Sequence, residues 1–335
     1  MPPPEFKELY FPMLKLPDLM IQRAIRKLSA SDVFHFSLIS PEHLKCIKST
    51  TGHALASAEI ELVVKGPEEM EIEFTPVDSN VTVFTISVRN IKQAAPDTVK
   101  NDDFDQEING FPMKIRLYMD RTTTYVPSGF RSKIALIKYC FENLQCQGIS
   151  LRFEYCGRQM IVCRPIVNAF KQCQDFRIQP SATQSNYNME RFLSGIQVWR
   201  LFKLCHHSMQ PLNLPASVFN AKKLCISAKI VMTREMLLSL NCEYAAFYSS
   251  DLTSEDLSAF VVKWFNSDGS HFKSLQVRNA TQIRPLDLTK NLYFFRQIDN
   301  DNTKVVRADG TFAVVTLVVA DHTFDFKVFN EEVEF

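Results

Sequence analysis

Residues Leu16–Ser40 read LPDLMIQRAIRKLSASDVFHFSLIS. Leu16-Pro17 starts a helix, because a proline near the first helical position has no N–H to leave unpaired there. At about 100° per residue, Leu16, Leu19, Met20, Ile21, Ala24, Ile25 and Leu28 span about 240° of the helical wheel. A helix that buries one face in its own domain needs an apolar stripe little wider than about 100°. More than one further face is surplus, and Gln22, Arg23, Arg26 and Lys27 fill what remains.

Ser29 to Ser31 interrupt the pattern, and Ser31 is expected to cap a second helix with Asp32 in its first turn. That helix carries Val33, Phe34, Phe36, Leu38 and Ile39 nearly all round. Ser40 then caps a third, with Pro41 at its first position and Leu44, Cys46 and Ile47 as its apolar residues. Three short helices in about 40 residues fall below the size at which a core sustains itself. Their apolar surface needs a cover, supplied by the rest of the chain or by a partner protein.

Residues 1–8, with three consecutive prolines, read as a loose tail, and residues 9–50 as helix-rich. Strands begin after Thr50-Thr51-Gly52. EMEIEF alternates Glu69, Glu71 and Glu73 with Met70, Ile72 and Phe74, one wet face and one dry. VTVFTISV and MKIRLYMD continue the strand pattern, while VKNDDFDQEING reads as an acidic loop. GFRSKIALIKYCFENLQC predicts a helix with Ile134, Ile137, Phe141 and Leu144 inward. Strand-like pieces follow at Ile149, Asp175, Leu224, Glu243 and His271, with helical pieces between several of them. Their spacing overlaps the leucine-rich-repeat period without a clean repeat motif, a degenerate strand–helix array.

LTSEDLSAFVVKWF is the clearest local unit. Thr253 caps, Asp256 completes a capping box, and Leu252 with Leu257 forms a hydrophobic staple. Leu257, Phe260, Val261 and Trp264 then share one face, which a packed core explains without any ligand. Near the C-terminus, Asp309-Gly310 joins two strands and DHTFDFKVF adds a third, a β meander.

Composition narrows the function. The formal net charge of +1 gives no global field for nucleic acid, and the basic residues form no aromatic-interleaved stripe. Nine cysteines, odd in number and scattered, read as reduced thiols of the cytoplasm or nucleus. Neither a secretory signal nor a membrane-spanning run is expected. Cys205-His206-His207 lacks the paired spacing of a zinc site, since three adjacent side chains point different ways. An EF-hand loop starting at Asp103 fails where Ile108 stands in place of glycine and Lys114 in place of glutamate. No phosphate-binding loop or nucleophile elbow occurs, so no local pattern nominates an enzyme.

The segment FPMLKLPDLMIQRAIRKLSASDVFHFSLISPEHLKCI resembles an F-box of the nematode type. Leu16-Pro17, Leu28, Asp32-Val33, Ile39-Ser40 and the preceding Phe11-Pro12 carry the likeness. Downstream, LNCEYAAFYSSDLTSEDLSAFVVKWFNSDGSHFKSLQV resembles an F-box-associated domain of type two, over about 224–290. Leu240, Cys242, Leu252-Thr253, Asp256-Leu257, Phe260 and Trp264 carry that match, and RADGTFAVV is similar to the family's closing strands.

The resemblance implies a mixed α+β and α/β fold. A three-helix F-box over 9–50 would precede a strand-rich substrate-recognition domain over 51–335, with leucine-rich-repeat-like units and a C-terminal meander. It also implies a non-catalytic substrate adaptor of a Skp–cullin–F-box ubiquitin ligase. Leu16, Pro17, Leu19, Met20, Ile21, Ile25, Leu28, Val33, Phe34, Leu38 and Ile39 would bind the Skp-family adaptor, which bridges to the cullin-RING complex. The C-terminal domain would hold an unknown protein substrate, without cofactor, metal, nucleic acid or membrane. The other reading is a cullin-independent scaffold that uses the F-box only as an interaction motif. Loops 100–110 and 181–190 are the candidate substrate contacts, since binding residues concentrate on loops.

Overall fold

The computed structural model describes residues 14–77, 79, 81–90, 103–117, 121–154, 157–179, 185–206, 208, 210–267, 271–278, 296–297, 302–318 and 322–329. The expected tail, residues 1–8, lies outside them. The protein is a mixed α/β chain dominated by sheet, and it divides into two compact units, Met1–Cys173 and Gln174–Phe335.

The first unit opens with helices α1 (Asp18–Ile25), α2 (Ala30–Ile39) and α3 (Pro41–Ser49). Strands β1 (Ala58–Val64), β2 (Glu69–Pro76), β3 (Phe84–Asn90), β4 (Asp103–Ile108), β5 (Phe111–Leu117) and β6 (Arg121–Val126) follow. Helix α4 (Phe130–Asn143), strand β7 (Gly148–Glu154) and helix α5 (Arg164–Ala169) complete it. Within this unit the strand order is β7-β1-β2-β3-β6-β5-β4, with β1/β7 and β3/β6 parallel and the other pairs antiparallel.

The alternation in β2 decides its orientation: Met70, Ile72 and Phe74 are buried, and the glutamates between them are half-buried. Glu73 lies directly across from Glu61, a repulsive pair. Arg152 from β7 answers it, with its guanidinium 2.9 Å from Glu73 and 3.3 Å from Glu61. Helix α4 forms where expected, but its buried face carries Leu136, Ile137 and Cys140, while Ile134 and Phe141 are half-buried. Lys133 is buried too, its ammonium donating to the Pro67 carbonyl.

The acidic stretch expected as a loop is instead strand. Asp103–Ile108 pairs antiparallel with Phe111–Leu117, and Ile108 faces Phe111 across Asn109-Gly110. Both turn residues have positive φ, 49° and 81°, as a two-residue type I′ hairpin requires. The pairing partner overrides the polarity of Asp105 and Glu107, which lie on the solvent side while Ile108 is buried.

The second unit contains β8 (Gln172–Gln179, starting just before the division), α6 (Asn186–Leu193), β9 (Gln197–Cys205), β10 (Lys223–Ile230), α7 (Arg234–Leu238), β11 (Tyr244–Ser250), α8 (Ser254–Phe265) and β12 (Ser274–Val277). Then come β13 (Arg296–Gln297), β14 (Asn302–Val306), β15 (Phe312–Val318) and β16 (Thr323–Phe329). Strands β9, β10, β11 and β12 are neighbours in that order and parallel, with a helical turn, α7 and α8 in the successive crossovers. After β12 the sheet turns antiparallel through β16, β15 and β14.

Leu224, Ile226, Phe247, Leu275, Val277 and Phe326 bury one face of this sheet. Helix α8 belongs to the same core: Trp264 and Phe260 meet the Phe326 ring at 5.2 and 5.5 Å between centroids. At the other end, Phe176 stacks on Phe202 at 5.9 Å. The turn between β14 and β15 closes with Gly310 N–H on the Arg307 carbonyl, and Gly310 sits at φ 85°. That is a three-residue hairpin with the left-handed position filled by glycine.

Candidate functional site

Pro17 is extended (φ −54°, ψ 143°) and stands just before α1, one position earlier than the first helical residue. Its carbonyl accepts from Met20 N at 2.8 Å and Ile21 N at 3.1 Å, which starts the helix without a side-chain cap. The helix ends at Ile25, and Leu28 follows in a tight turn whose N–H reaches the Ile25 carbonyl. Two apolar stripes result. Ile21 and Ile25 are buried, while on the opposite side Leu19 and Met20 are 60 and 52% exposed, and Leu16, ahead of the helix, is 39% exposed. Leu19 and Met20 thus form an exposed apolar pair on the first turn of α1, and Leu16 is exposed in the non-helical stretch just before Pro17.

Helix α2 starts earlier than the serine pattern implied. Ser29, not Ser31, is its cap: Ser29 Oγ accepts from Asp32 N at 3.2 Å and donates to Asp32 Oδ2 at 2.7 Å. An acid three residues after the cap completes this exchange, and Ser31 lies too close to Asp32 to make it. Ser40 caps α3 with Pro41 in its first turn, as expected.

Val33, Phe34, His35, Phe36, Ser37 and Leu38 are all buried. Their cover is the first unit itself. Phe34 lies 5.7 Å from the Phe84 ring of β3, and Tyr139 of α4 donates its hydroxyl to the Ser37 carbonyl at 2.9 Å. His35 Nε2 sits 2.8 Å from Thr122 Oγ1 of β6. Burial lowers the His35 pKa to about 4, against a smaller upward pull from Asp32, so the ring is neutral at physiological pH.

The eleven sequence-predicted residues therefore divide. Leu16, Pro17, Leu19 and Met20 are exposed, Leu28 and Ile39 half-buried, and Ile21, Ile25, Val33, Phe34 and Leu38 buried. The chain's own core absorbs the last five, and the first four are free to meet another molecule. The candidate substrate loops fare differently. Residues 103–108 are strand and 186–190 belong to α6, while 100–102 and 181–184 lie outside the described residues. His206 is buried with Nε2 3.1 Å from Asn186 Oδ1, and His207 lies outside the described residues. Among the described residues, no group of three or more His, Cys, Asp or Glu is placed to hold a metal ion, and no helix is long and apolar enough to cross a membrane.

In the second unit, the sequence reading of about 224–290 meets a structural block over 224–267 and 271–278, and 279–290 lie outside the described residues. Thr253 caps α8 reciprocally with Asp256, whose carboxylate also pairs with Arg234 Nε of α7 at 2.7 Å. Lys263 further ties α8 to α7 by donating to the Leu238 carbonyl. Sequence reasoning missed β9, whose Trp199 is 60% exposed. Its alternation of Val198, Phe202 and Leu204 inward is broken by two successive exposed residues, Trp199 and Arg200.

Residues 217–277 match the F-box associated family, FBA_2. The matched segment runs from the helical turn at Ala216–Asn220 through β10, α7, β11 and α8 to the last residue of β12. The chain is also similar to an uncharacterized Caenorhabditis elegans protein, F59B2.9, at 22% identity over 289 residues. That alignment covers 82% of this chain and 63% of the relative, so the chain spans less than two thirds of that protein's length. No solved structure matches.

Proposed function

We propose that the chain is the substrate-recognition subunit of a Skp–cullin–F-box ubiquitin ligase. Helices α1 to α3 act as the F-box, and the second unit, with its leucine-rich-repeat-like strand–helix succession, holds the protein substrate. The observation that carries this is the exposed pair Leu19 and Met20 on a helix whose opposite face is already buried, with Leu16 exposed just before it. A short helix keeps two apolar faces at a cost in solubility, which a partner surface relieves. The F-box associated match downstream supports the same reading.

On this reading the Skp-type adaptor covers Leu16, Pro17, Leu19 and Met20, with Leu28 and Ile39 at the margin. The chain does no covalent chemistry. Its effect is proximity: one site anchors the complex and another holds the substrate, so a substrate lysine meets charged ubiquitin at high effective concentration.

Purified Skp-type adaptor tests this directly. Leu19→Asp with Met20→Asp is expected to abolish co-purification and leave thermal unfolding unchanged, because both side chains are exposed. Each buried apolar contact of this size is worth about 1.5–3 kcal/mol, so the loss exceeds about a hundredfold in affinity. Undiminished co-purification of the folded double variant refutes the assignment. Ubiquitylation of a bound substrate in a reconstituted complex separates the ligase from a cullin-independent scaffold.

A further inference from the structure

The parallel strands of the second unit bury one face and leave the other open. In β10, Leu224, Ile226 and Ile230 are buried, whereas Lys223 is exposed and Cys225 and Ser227 are half-exposed. The same alternation in β12 leaves Ser274 and Gln276 half-exposed. Cross-strand register places Leu201, Lys223, Tyr244, Ser274 and Lys327 in one row on that open face. The next row on the same face holds Lys203, Cys225, Ala246, Gln276 and Asp325. Its centre is therefore floored by small side chains, so an extended backbone can lie close to the sheet.

The charge on this face is one-sided. Glu243 is engaged by Lys273 at 2.9 Å and Asp325 by Lys327 at 2.8 Å. Asp175, on the neighbouring β8, is held by both Arg177 and Arg200, at 2.9 and 2.7 Å. Among the described residues, no ion pair engages Lys203, Lys223 or Arg278. Each of the three is exposed. Lys223 of β10 and Lys273, just before β12, lie 5.3 and 5.6 Å from the Tyr244 ring centroid. Arg278 lies 5.1 Å from the Tyr248 centroid. These contacts hold the cations over the sheet before any ligand arrives. They also occupy the ring faces on which a nucleobase would stack.

We propose that this open sheet face is a docking groove for an acidic peptide segment, which lies across the strands with its carboxylates on Lys203, Lys223 and Arg278. This deepens the substrate-recognition reading, and rests on it for the ligand being a protein. From β9 to β16 the groove crosses four strand spacings of about 4.8 Å, about 19 Å in all, which accommodates about six extended residues. Trp199, exposed on β9 with the same alternation as Leu201 and Lys203, offers an apolar contact to a hydrophobic residue flanking the acidic run.

Fluorescence anisotropy on the full chain tests the groove with three labelled probes: hexaglutamate, hexaglutamine and single-stranded oligo-dT. Hexaglutamate is expected to bind at low ionic strength and to weaken as salt rises, because these charges face solvent. Hexaglutamine is expected not to bind. Combined Lys203→Glu, Lys223→Glu and Arg278→Glu should weaken hexaglutamate by about tenfold or more, and the same three changed to Gln by a smaller factor. The glutamine variant keeps the test valid if reversal disturbs folding. Absence of hexaglutamate binding, equal binding by either folded triple variant, or tighter binding of oligo-dT than hexaglutamate overturns the proposal. So does low-salt self-association of the chain that excludes hexaglutamate, since a second copy would then be the occupant. Adaptor co-purification reads α1 and not this face, and it should be unchanged in these triple variants. Loss at one site with retention at the other thus shows which of the two readings has failed.

Discussion

His35 gives the first unit a pH dependence whose sign follows from its burial. The folded protein holds the ring neutral down to about pH 4, whereas an unfolded chain protonates it near the ordinary 6.5. Stability is complete above about pH 6.5 and falls as pH drops, by about 3 kcal/mol in total once pH 4 is reached. Burial lowers His53 as well, and its contribution has the same sign. His35→Gln keeps a polar partner for Thr122 and removes this titration. Urea unfolding of that variant should lose less stability between pH 6.5 and about 4.5 than the parent chain, by about 2 kcal/mol. Parallel curves for the two proteins would assign the dependence to other groups. The sequence showed that the surroundings of His35 were apolar. It held no sign that Thr122, a distant threonine in a stretch not read as strand, would be the partner.

Helix α8 was legible because everything that fixes it lies within a few residues: cap, staple and apolar face. Thr253→Ala removes the Thr253 Oγ1 bond to Asp256 N, for an expected loss of about 1 kcal/mol in chemical denaturation. Asp256→Ala leaves that backbone donor in place but removes the carboxylate that accepts from Thr253 N and Thr253 Oγ1 and pairs with Arg234, so it too should cost about 1 kcal/mol, the arginine being exposed. The two changes together should cost less than their sum, since both break one capping box. Strict additivity would show that the reciprocal bonds act independently. Strand β4 was hidden for the opposite reason. Its aspartates and glutamate dominate its polarity, and only Asn109-Gly110 marked the hairpin that pairs it with β5. In α4 nothing in the pattern marked Lys133 as buried, and its ammonium found the Pro67 carbonyl inside.

At the scale of the molecule, the surplus apolar surface of α1 and α2 has two destinations, and the sequence alone could not divide it. The wheel count counted too many faces on α1 and α2 together. Only the long-range contacts of Phe34, His35 and Ser37 reveal that α2 belongs to the interior of the first unit, leaving the first turn of α1 outside. The consequence is a prediction about truncation. Full burial of Val33, Phe34, Phe36 and Leu38 is worth about 1.5–3 kcal/mol each, or about 6–12 kcal/mol together. A domain's net stability is about 5–15 kcal/mol, so a chain lacking residues 1–50 should lose most or all of the first unit's stability. Hydrogen exchange should then show β3 and β6, which α2 covers, losing protection, with β10 and β11 of the second unit as the internal reference. Full protection of β3 and β6 in the truncated chain would make the helices a dispensable appendage. If protection is lost, deletion of the N-terminal helices confounds misfolding with loss of a partner. Leu19→Asp with Met20→Asp then becomes the substitution that isolates the docking face, because it changes the outer stripe of α1 and leaves Ile21 and Ile25 in the core.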